Sequence, residues 1–165
     1  MLRAMNEVVV RKAQPSELPA VAALAGKLVR MHHAEDPTRF FLPDGVEAGY
    51  EWWLEKELAR AEARVLVADA SGLIVGYAYG ALEERDWNLL LDAHGAIHDL
   101  YVAESERGRG TGRRLLEAML SELEGLGAAR VVLSTMVGNQ QAQRLFRGSG
   151  FRPTMLEMTR DRPPR

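Results

Sequence analysis

A run of glycines and arginines at positions 107–113 is the part of this sequence best suited to binding a charged ligand. It lies between a strand-like run at 97–102 and a helix-like run at 111–126. Glycine lacks a Cβ, so the backbone can approach an anion closely. The free N–H groups and the dipole of a helix start attract negative charge. The residues are Arg107, Gly108, Arg109, Gly110, Thr111, Gly112 and Arg113. They predict a site for a phosphorylated ligand.

The spacing of this loop excludes two common phosphate-binding motifs. A P-loop needs Gly-Lys-Ser or Gly-Lys-Thr, and neither occurs in the chain. A dinucleotide fingerprint needs G-x-G-x-x-G, whereas the glycines here fall at alternate positions. What remains is R-x-x-G-x-G, from Arg107 to Gly112, directly after a strand that ends in Leu100-Tyr101-Val102.

A second motif follows the loop at a fixed distance and gives it a family context. It consists of Asn139, Ala142, Leu145, Phe146, Gly150 and Phe151. In this order the two motifs resemble the GCN5-related N-acetyltransferases, and the resemblance covers residues 7 to about 159. It implies acetyl-CoA as the co-substrate and transfer of the acetyl group by direct attack of an amine. It also implies that CoA contacts Leu100, Tyr101, Val102, residues 107–113, Asn139 and Phe146.

The order of elements predicted from periodicity and turn residues agrees with that family. Strands are predicted at 7–13, 64–69, 73–83, 97–102 and 130–136, with a last strand or hairpin at 151–159. Helices are predicted at 18–31, 46–60, 111–126 and 139–147. The order is therefore β1-α1-α2-β2-β3-β4-α3-β5-α4-β6/7. The resemblance implies a mixed α/β (α+β) sheet that splays between its fourth and fifth strands.

Composition bounds the remaining possibilities. A chain of 165 residues with 47% hydrophobic content predicts one domain over 1–165, with frayed ends at 1–6 and 161–165. The net charge of −2 argues against nucleic acid as a partner, and no membrane segment is predicted. The lack of cysteine excludes disulfides and thiolate catalysis. We expect a cytoplasmic protein, and a homodimer is the expected assembly.

The proton of the acceptor amine is the main chemical obstacle to acetyl transfer. Freeing a lysine-like amine at pH 7 costs roughly 4.6 kcal/mol, so a general base is expected. Alternation of apolar residues breaks between Ile97 and Leu100, which predicts a β-bulge at His98-Asp99. His98 is the favoured base and Asp99 the second candidate. The alternative, in which both side chains are only structural, stays open.

Acidic and aromatic side chains near the expected acceptor side suggest a small cationic substrate, such as a polyamine, an amino acid or an aminoglycoside. Protein N-termini and lysines remain alternatives. The candidate substrate-binding residues are His32, Glu35, Phe40, Glu83 and Trp87. No metal is expected, because the adjacent His32 and His33 point about 100° apart on a helix.

One position departs from the family pattern. Many members carry a tyrosine that protonates the leaving thiolate, where this chain has Phe146. Phenylalanine has no proton to give, so the thiolate leaves unassisted or another hydroxyl assists it. The same departure supports a rival hypothesis, a CoA-binding regulatory module with little or no catalysis.

Overall fold

The computed structural model describes residues 7–162. One five-stranded mixed sheet, in the order β1-β2-β3-β4-β5, carries helices on both faces. The strands are β1 (Val8–Lys12), β2 (Ala63–Ala70), β3 (Leu73–Glu83), β4 (His94–Val102) and β5 (Val131–Leu133). The helices are α1 (Leu18–Glu35), α2 (Val46–Leu58), α3 (Thr111–Gly125) and α4 (Gln140–Gly148). The predicted α/β class and the order of elements through α4 are confirmed. Of the predicted frayed ends, residues 1–6 and 163–165 lie outside the described part of the chain.

Successive side chains of the sheet point to opposite faces and contribute to two separate hydrophobic cores. On one face, Val67 and Tyr77 are fully buried against α1 and α2. On the other face, Leu66 and Ala78 pack against α3, whose apolar stripe is fully buried. Because strand side chains alternate in direction, one strand supplies both cores. The α3 stripe consists of Leu115, Leu116, Met119 and Leu123.

Close contact between α3 and the sheet depends on a glycine in β3. A Cβ on Gly80 would lie 2.8 Å from the carbonyl oxygen of Ala96 and 2.9 Å from Met119 Sδ. Both distances are too short for a real side chain, so no larger residue fits there without a shift of backbone. Gly80 pairs with Ile97 on β4, next to the bulge.

The predicted bulge is present and coincides with the end of the β4–β5 pairing. Tyr79 pairs with Asp99 and the next residue of β3 pairs with Ile97, so His98 is the extra residue of β4. β5 runs parallel to β4 but pairs with it only at residues 95–97. From His98 onward, β4 and the chain after β5 separate and leave a wedge-shaped cleft. β5 is shorter than the predicted 130–136 because its partner changes register at the bulge.

The predicted C-terminal strand or hairpin at 151–159 is wrong. Residues 151–162 form neither strand nor helix, and Met155, Leu156 and Met158 are exposed. Pro153 cannot donate a backbone hydrogen bond, which disfavours a paired strand there. The segment is attached to the loop after α1 by an Arg39–Glu157 ion pair.

Candidate active site

The bulge places two consecutive polar side chains on the same side of the sheet. The ring of His98 stacks on Tyr79, with centroids 5.3 Å apart. Asp99 Oδ2 accepts a hydrogen bond from the Tyr77 hydroxyl at 3.0 Å. Tyr77 and Tyr79 face the α1–α2 core, so His98 and Asp99 face that side too. In a regular strand, neighbouring residues would face opposite sides.

The two side chains lie in the cleft between the diverging strands. Its walls come from α1, β4, the end of β5 and α4. The lining brings together six of the predicted catalytic, cofactor-binding and substrate-binding residues, namely His32, His98, Asp99, Leu100, Asn139 and Phe146. Apolar side chains cover much of the remaining wall, and Ser134 and Thr135 add hydroxyl groups.

A carboxylate fixes the orientation of the His98 ring. Nε2 of His98 lies 2.8 Å from Glu83 Oε1 at the end of β3. An ionised carboxylate can only accept hydrogen bonds, so Nε2 carries the hydrogen in this contact. In the neutral ring, Nδ1 is then the atom with a free lone pair, available to accept a proton.

Asp99 is surrounded by aromatic and apolar groups. Burial raises the pKa of Asp99 above its ordinary value, against the opposing effects of the Tyr77 hydrogen bond and of His98. The same cluster raises the pKa of Tyr50 and of Tyr77, first through burial and then through the Asp99 charge. Burial also lowers the pKa of His32, which favours its neutral form.

The loop at 107–113 has the shape expected of an anion cradle. Gly108 and Gly110 have positive φ angles of 75° and 82°, which favour glycine. Within the described residues, no acceptor is found for the backbone N–H groups of residues 108–113. The hydroxyl of Thr111 is buried and lacks a hydrogen-bond partner in the same part of the chain. Six free N–H groups at a helix start fit a pyrophosphate, so the residues present suit CoA.

The arginines of the loop have different surroundings. Arg107 donates from Nε to the carbonyl oxygen of Val102 at 3.0 Å and lies over the Tyr101 ring. Arg109 lies 3.4 Å from Glu106 and is largely exposed. Arg113 lies beside Gly148 of α4. Arg114, which the sequence adds to the same basic stretch, instead donates to the Val8 carbonyl oxygen at 2.9 Å. Arg114 therefore joins α3 to β1.

The second motif forms the opposite wall of the cleft. Asn139 caps α4, since its Oδ1 accepts a hydrogen bond from Ala142 N at 3.0 Å. This contact uses the oxygen of the side chain, so the amide NH₂ group of Asn139 can still donate hydrogen bonds to a ligand. Phe146 is buried and packs edge-on against Phe151 with ring centroids 6.0 Å apart.

The candidate acceptor residues fall in different places. The ring of His32 stacks on Phe40 at 5.0 Å, and His33 Nδ1 holds the carbonyl oxygen of Phe40 at 2.7 Å. Glu35 is exposed at the end of α1, against Gly138. Trp87 does not line the cleft but projects, 73% exposed, from the β3–β4 connection, under the Arg85 guanidinium. Of the five, His32 and Glu83 come closest to the catalytic candidates.

Three tyrosines around the site were not predicted from the sequence. Tyr50 lies on α2, and Tyr77 and Tyr79 lie on β3. The two β3 tyrosines are two residues apart, the spacing that puts side chains on one face of a strand. That spacing could have indicated a polar lining, whereas nothing local to Tyr50 indicates contact with β4.

Comparison with known proteins identifies the family. The model of the acetyltransferase (GNAT) family matches residues 27–151. An L-methionine sulfoximine/L-methionine sulfone acetyltransferase of Pseudomonas aeruginosa is 27% identical over 145 residues, 86% of this chain and 78% of the relative. An L-amino acid N-acyltransferase of Escherichia coli is 32% identical over 89 residues, 53% of this chain and 49% of the relative. The chain belongs to the GNAT family and is an N-acetyltransferase by class.

Solved structures agree with this assignment at the level of the fold. A variant of the BH1408 protein of Bacillus halodurans superposes with a TM-score of 0.79 at 21% identity, covering 93% of this chain and 98% of that one. An aminoglycoside N-acetyltransferase in complex with CoA gives a TM-score of 0.74 at 17% identity, covering 99% and 100% of the two chains. Enzymes of this family use acetyl-CoA.

Two further observations concern metals and membranes. In residues 7–162, no group of three or more histidine, aspartate or glutamate side chains is arranged to hold a metal ion. None of the described helices has the length and apolar character needed to cross a membrane.

Proposed function

We propose that this protein transfers the acetyl group of acetyl-CoA to a primary amine in the cleft between β4 and β5, with His98 as the general base. The observation that carries the proposal is the bulge, which places His98 in the cleft, on the part of β4 that β5 leaves unpaired and that leads into the 107–113 loop. Bound acetyl-CoA would supply an activated thioester. The protein then has to bind it, orient the amine and accept a proton.

In the proposed reaction, His98 accepts one of the two protons that the acceptor nitrogen must lose. The acceptor nitrogen enters as an ammonium and leaves as an amide, so it loses two protons. Nδ1 of His98 takes the first proton, and Glu83 stabilises the resulting imidazolium through Nε2. The free amine forms the new C–N bond as the C–S bond breaks, and the second proton neutralises the departing thiolate.

The group that delivers this second proton is one of the hydroxyls near the cleft, or water. Phe146 lines the cleft but has no exchangeable proton. Ser134 and Thr135 lie on the same wall, and Tyr101 lies on β4. A thiolate is a moderately good leaving group even without an acid, since thiols such as that of cysteine, with a pKa near 8.5, are far more acidic than alcohols. Phe146 therefore does not by itself favour the rival hypothesis of a CoA-binding regulatory module.

The acceptor we propose is a small cationic amine. Asp99 contributes a carboxylate to the cleft lining, Glu83 adds a second one beside His98, and no arginine or lysine contributes to the described walls. Relatives named for amino-acid derivatives and a structural neighbour named for aminoglycosides are consistent with an acceptor of this size. A protein N-terminus or lysine is the second candidate. The cytoplasmic location and the homodimer stay predictions.

Two glycines at opposite ends of α3 give a matched test of the cofactor site. Gly110 and Gly127 both have positive φ, of 82° and 99°, and a Cβ on either would meet no atom within 4 Å. A Gly→Val change should strain the backbone similarly at both. Only Gly110→Val crowds the proposed pyrophosphate cradle, so it should abolish acetyl-CoA binding in calorimetry while Gly127→Val retains it. Equal acetyl-CoA affinity in the two folded variants would refute the cradle.

A further inference from the structure

We propose that Asp99 is the counter-ion that receives the acceptor's ammonium group before His98 removes its proton. The inference rests on the proposed function and assigns Asp99 a role in substrate recognition rather than in proton abstraction. It follows from the surroundings of the carboxylate and from its position next to His98.

The carboxylate of Asp99 lacks a positive partner. Within residues 7–162 it forms no ion pair, and its direct partner at 3.0 Å is the neutral Tyr77 hydroxyl. Burial raises the pKa of Asp99, and the neutral Tyr50 hydroxyl also acts on this group and opposes that rise. The buried carboxylate of Glu57, by contrast, is paired with Arg60 at 2.7 Å. A carboxylate removed from water is costly unless a cation or several donors compensate for the lost hydration.

The position of Asp99 indicates where the missing cation would come from. Asp99 lines the cleft rather than the closed core, so a ligand in the cleft can reach it. Two histidines act electrostatically on Asp99. His98 is already in contact with Glu83, and burial lowers the pKa of His32. Burial favours the neutral form of His32, and any charge on His98 is already shared with Glu83. An ammonium group on the acceptor would complete the pair.

The adjacency of Asp99 and His98 then explains how the amine is bound and activated in one place. Asp99 attracts the form of the amine that predominates in solution, the ammonium. Because the bulge turns both side chains to one side, the bound nitrogen would lie near both. His98 takes one proton, and the neutral nitrogen is left at the thioester. The site would therefore select amines that are charged in solution over neutral nitrogen nucleophiles.

Two probes of nearly equal shape but different charge test this selection. Benzylamine is an ammonium at about pH 7.5, whereas phenylhydrazine is uncharged there, and the phenyl ring of either suits the apolar walls. Each is titrated by calorimetry into the full-length protein saturated with CoA. We expect wild type to bind benzylamine about tenfold or more tightly than phenylhydrazine. We expect Asp99→Asn, which can still accept from Tyr77, to lose this preference.

Controls separate this inference from the proposed function. Glu84→Gln changes an exposed carboxylate next to Glu83 and should keep the wild-type preference. Asp99→Ser replaces Asp99→Asn if the latter fails to bind CoA. Equal binding of the two probes to wild type, or an unchanged preference in a CoA-binding Asp99 variant, overturns the inference. Failure of wild type to bind CoA instead contradicts the proposed function.

Discussion

At the residue scale, the central feature is a histidine whose two ring nitrogens have different roles. The Glu83 contact at 2.8 Å assigns the hydrogen to Nε2, and stacking on Tyr79 fixes the plane of the ring. Nδ1 is thereby left as the acceptor atom. Glu83, predicted from the sequence as an acceptor-binding residue, contacts His98, and we propose that it also positions the ring.

Substitutions of His98 and Glu83 test the proposed roles of these residues as the base and as the residue that positions it. His98→Ala should lower kcat by about 10²-fold to 10⁴-fold, the usual contribution of a general base. Glu83→Ala should lower kcat by about tenfold or more, because the ring remains but is free to rotate. KM for acetyl-CoA should stay near the wild-type value in both variants. In wild type, the pH dependence of the rate should contain a limb that is absent from His98→Ala.

Glu84→Ala is the matched control, since it removes an exposed carboxylate from the adjacent position. Its kcat should equal that of wild type. A wild-type kcat in Glu83→Ala would show that the carboxylate does not position the base. A pH-independent rate, together with an active His98→Ala enzyme, would transfer the role of base to another group.

Sequence alone could identify His98 but not its partners. The broken alternation between Ile97 and Leu100 marked the bulge because it is a local irregularity of one strand. The contacts of His98 with Glu83 and of Asp99 with Tyr77 join residues that are 15 and 22 positions apart. Such contacts depend on strand register, which the sequence of a single strand does not specify.

At the scale of elements, α4 is the helix whose N-cap residue has both a structural role and a place in the cleft lining. Asn139 uses its Oδ1 to cap the helix, and the residue lines the cleft. The two roles involve different atoms of one side chain. The amide NH₂ group is the part that could contact CoA, as the family resemblance implies.

Two substitutions of Asn139 separate these roles. Asn139→Asp keeps the capping oxygen but removes the amide donor, so stability should hold while KM for acetyl-CoA rises. Asn139→Ala removes both, and it should also lower the free energy of unfolding by about 1 kcal/mol. Thermal unfolding and steady-state kinetics measure the two effects. An Asn139→Asp enzyme with a wild-type KM for acetyl-CoA would leave Asn139 with capping alone.

The elements were predicted well where the pattern is local and poorly at the C-terminus. The α3 stripe has a helical period, and the loop before it has glycines at its positive φ angles, so both could be located from the sequence. The segment 151–159 contains apolar residues and was predicted as a strand. Its side chains at 155, 156 and 158 lack strict alternation, and Pro153 lies near its start. The short length of β5 could not be predicted from its own sequence either, because it depends on the register of β4.

At the scale of the whole molecule, the proposed cofactor site and the proposed catalytic site depend on different hydrophobic cores. The core beneath α3 sets the anion cradle at the end of β4, and the core beneath α1 and α2 holds the tyrosines that surround Asp99. β4 contributes to both cores, and its bulge lies where β5 leaves it. β4 therefore leads from the proposed base in the cleft toward the loop proposed to bind the pyrophosphate.

The most direct test of the central claim is the stoichiometry of acetyl transfer. The full-length protein is incubated with acetyl-CoA and, separately, L-methionine sulfone, spermidine and kanamycin, with free thiol and acetylated amine both quantified. We expect at least one amine to yield equimolar thiol and N-acetyl product, and His98→Ala to yield far less of both. Tight binding of acetyl-CoA without acetylation of any of these amines would contradict the account and favour a CoA-binding regulatory module.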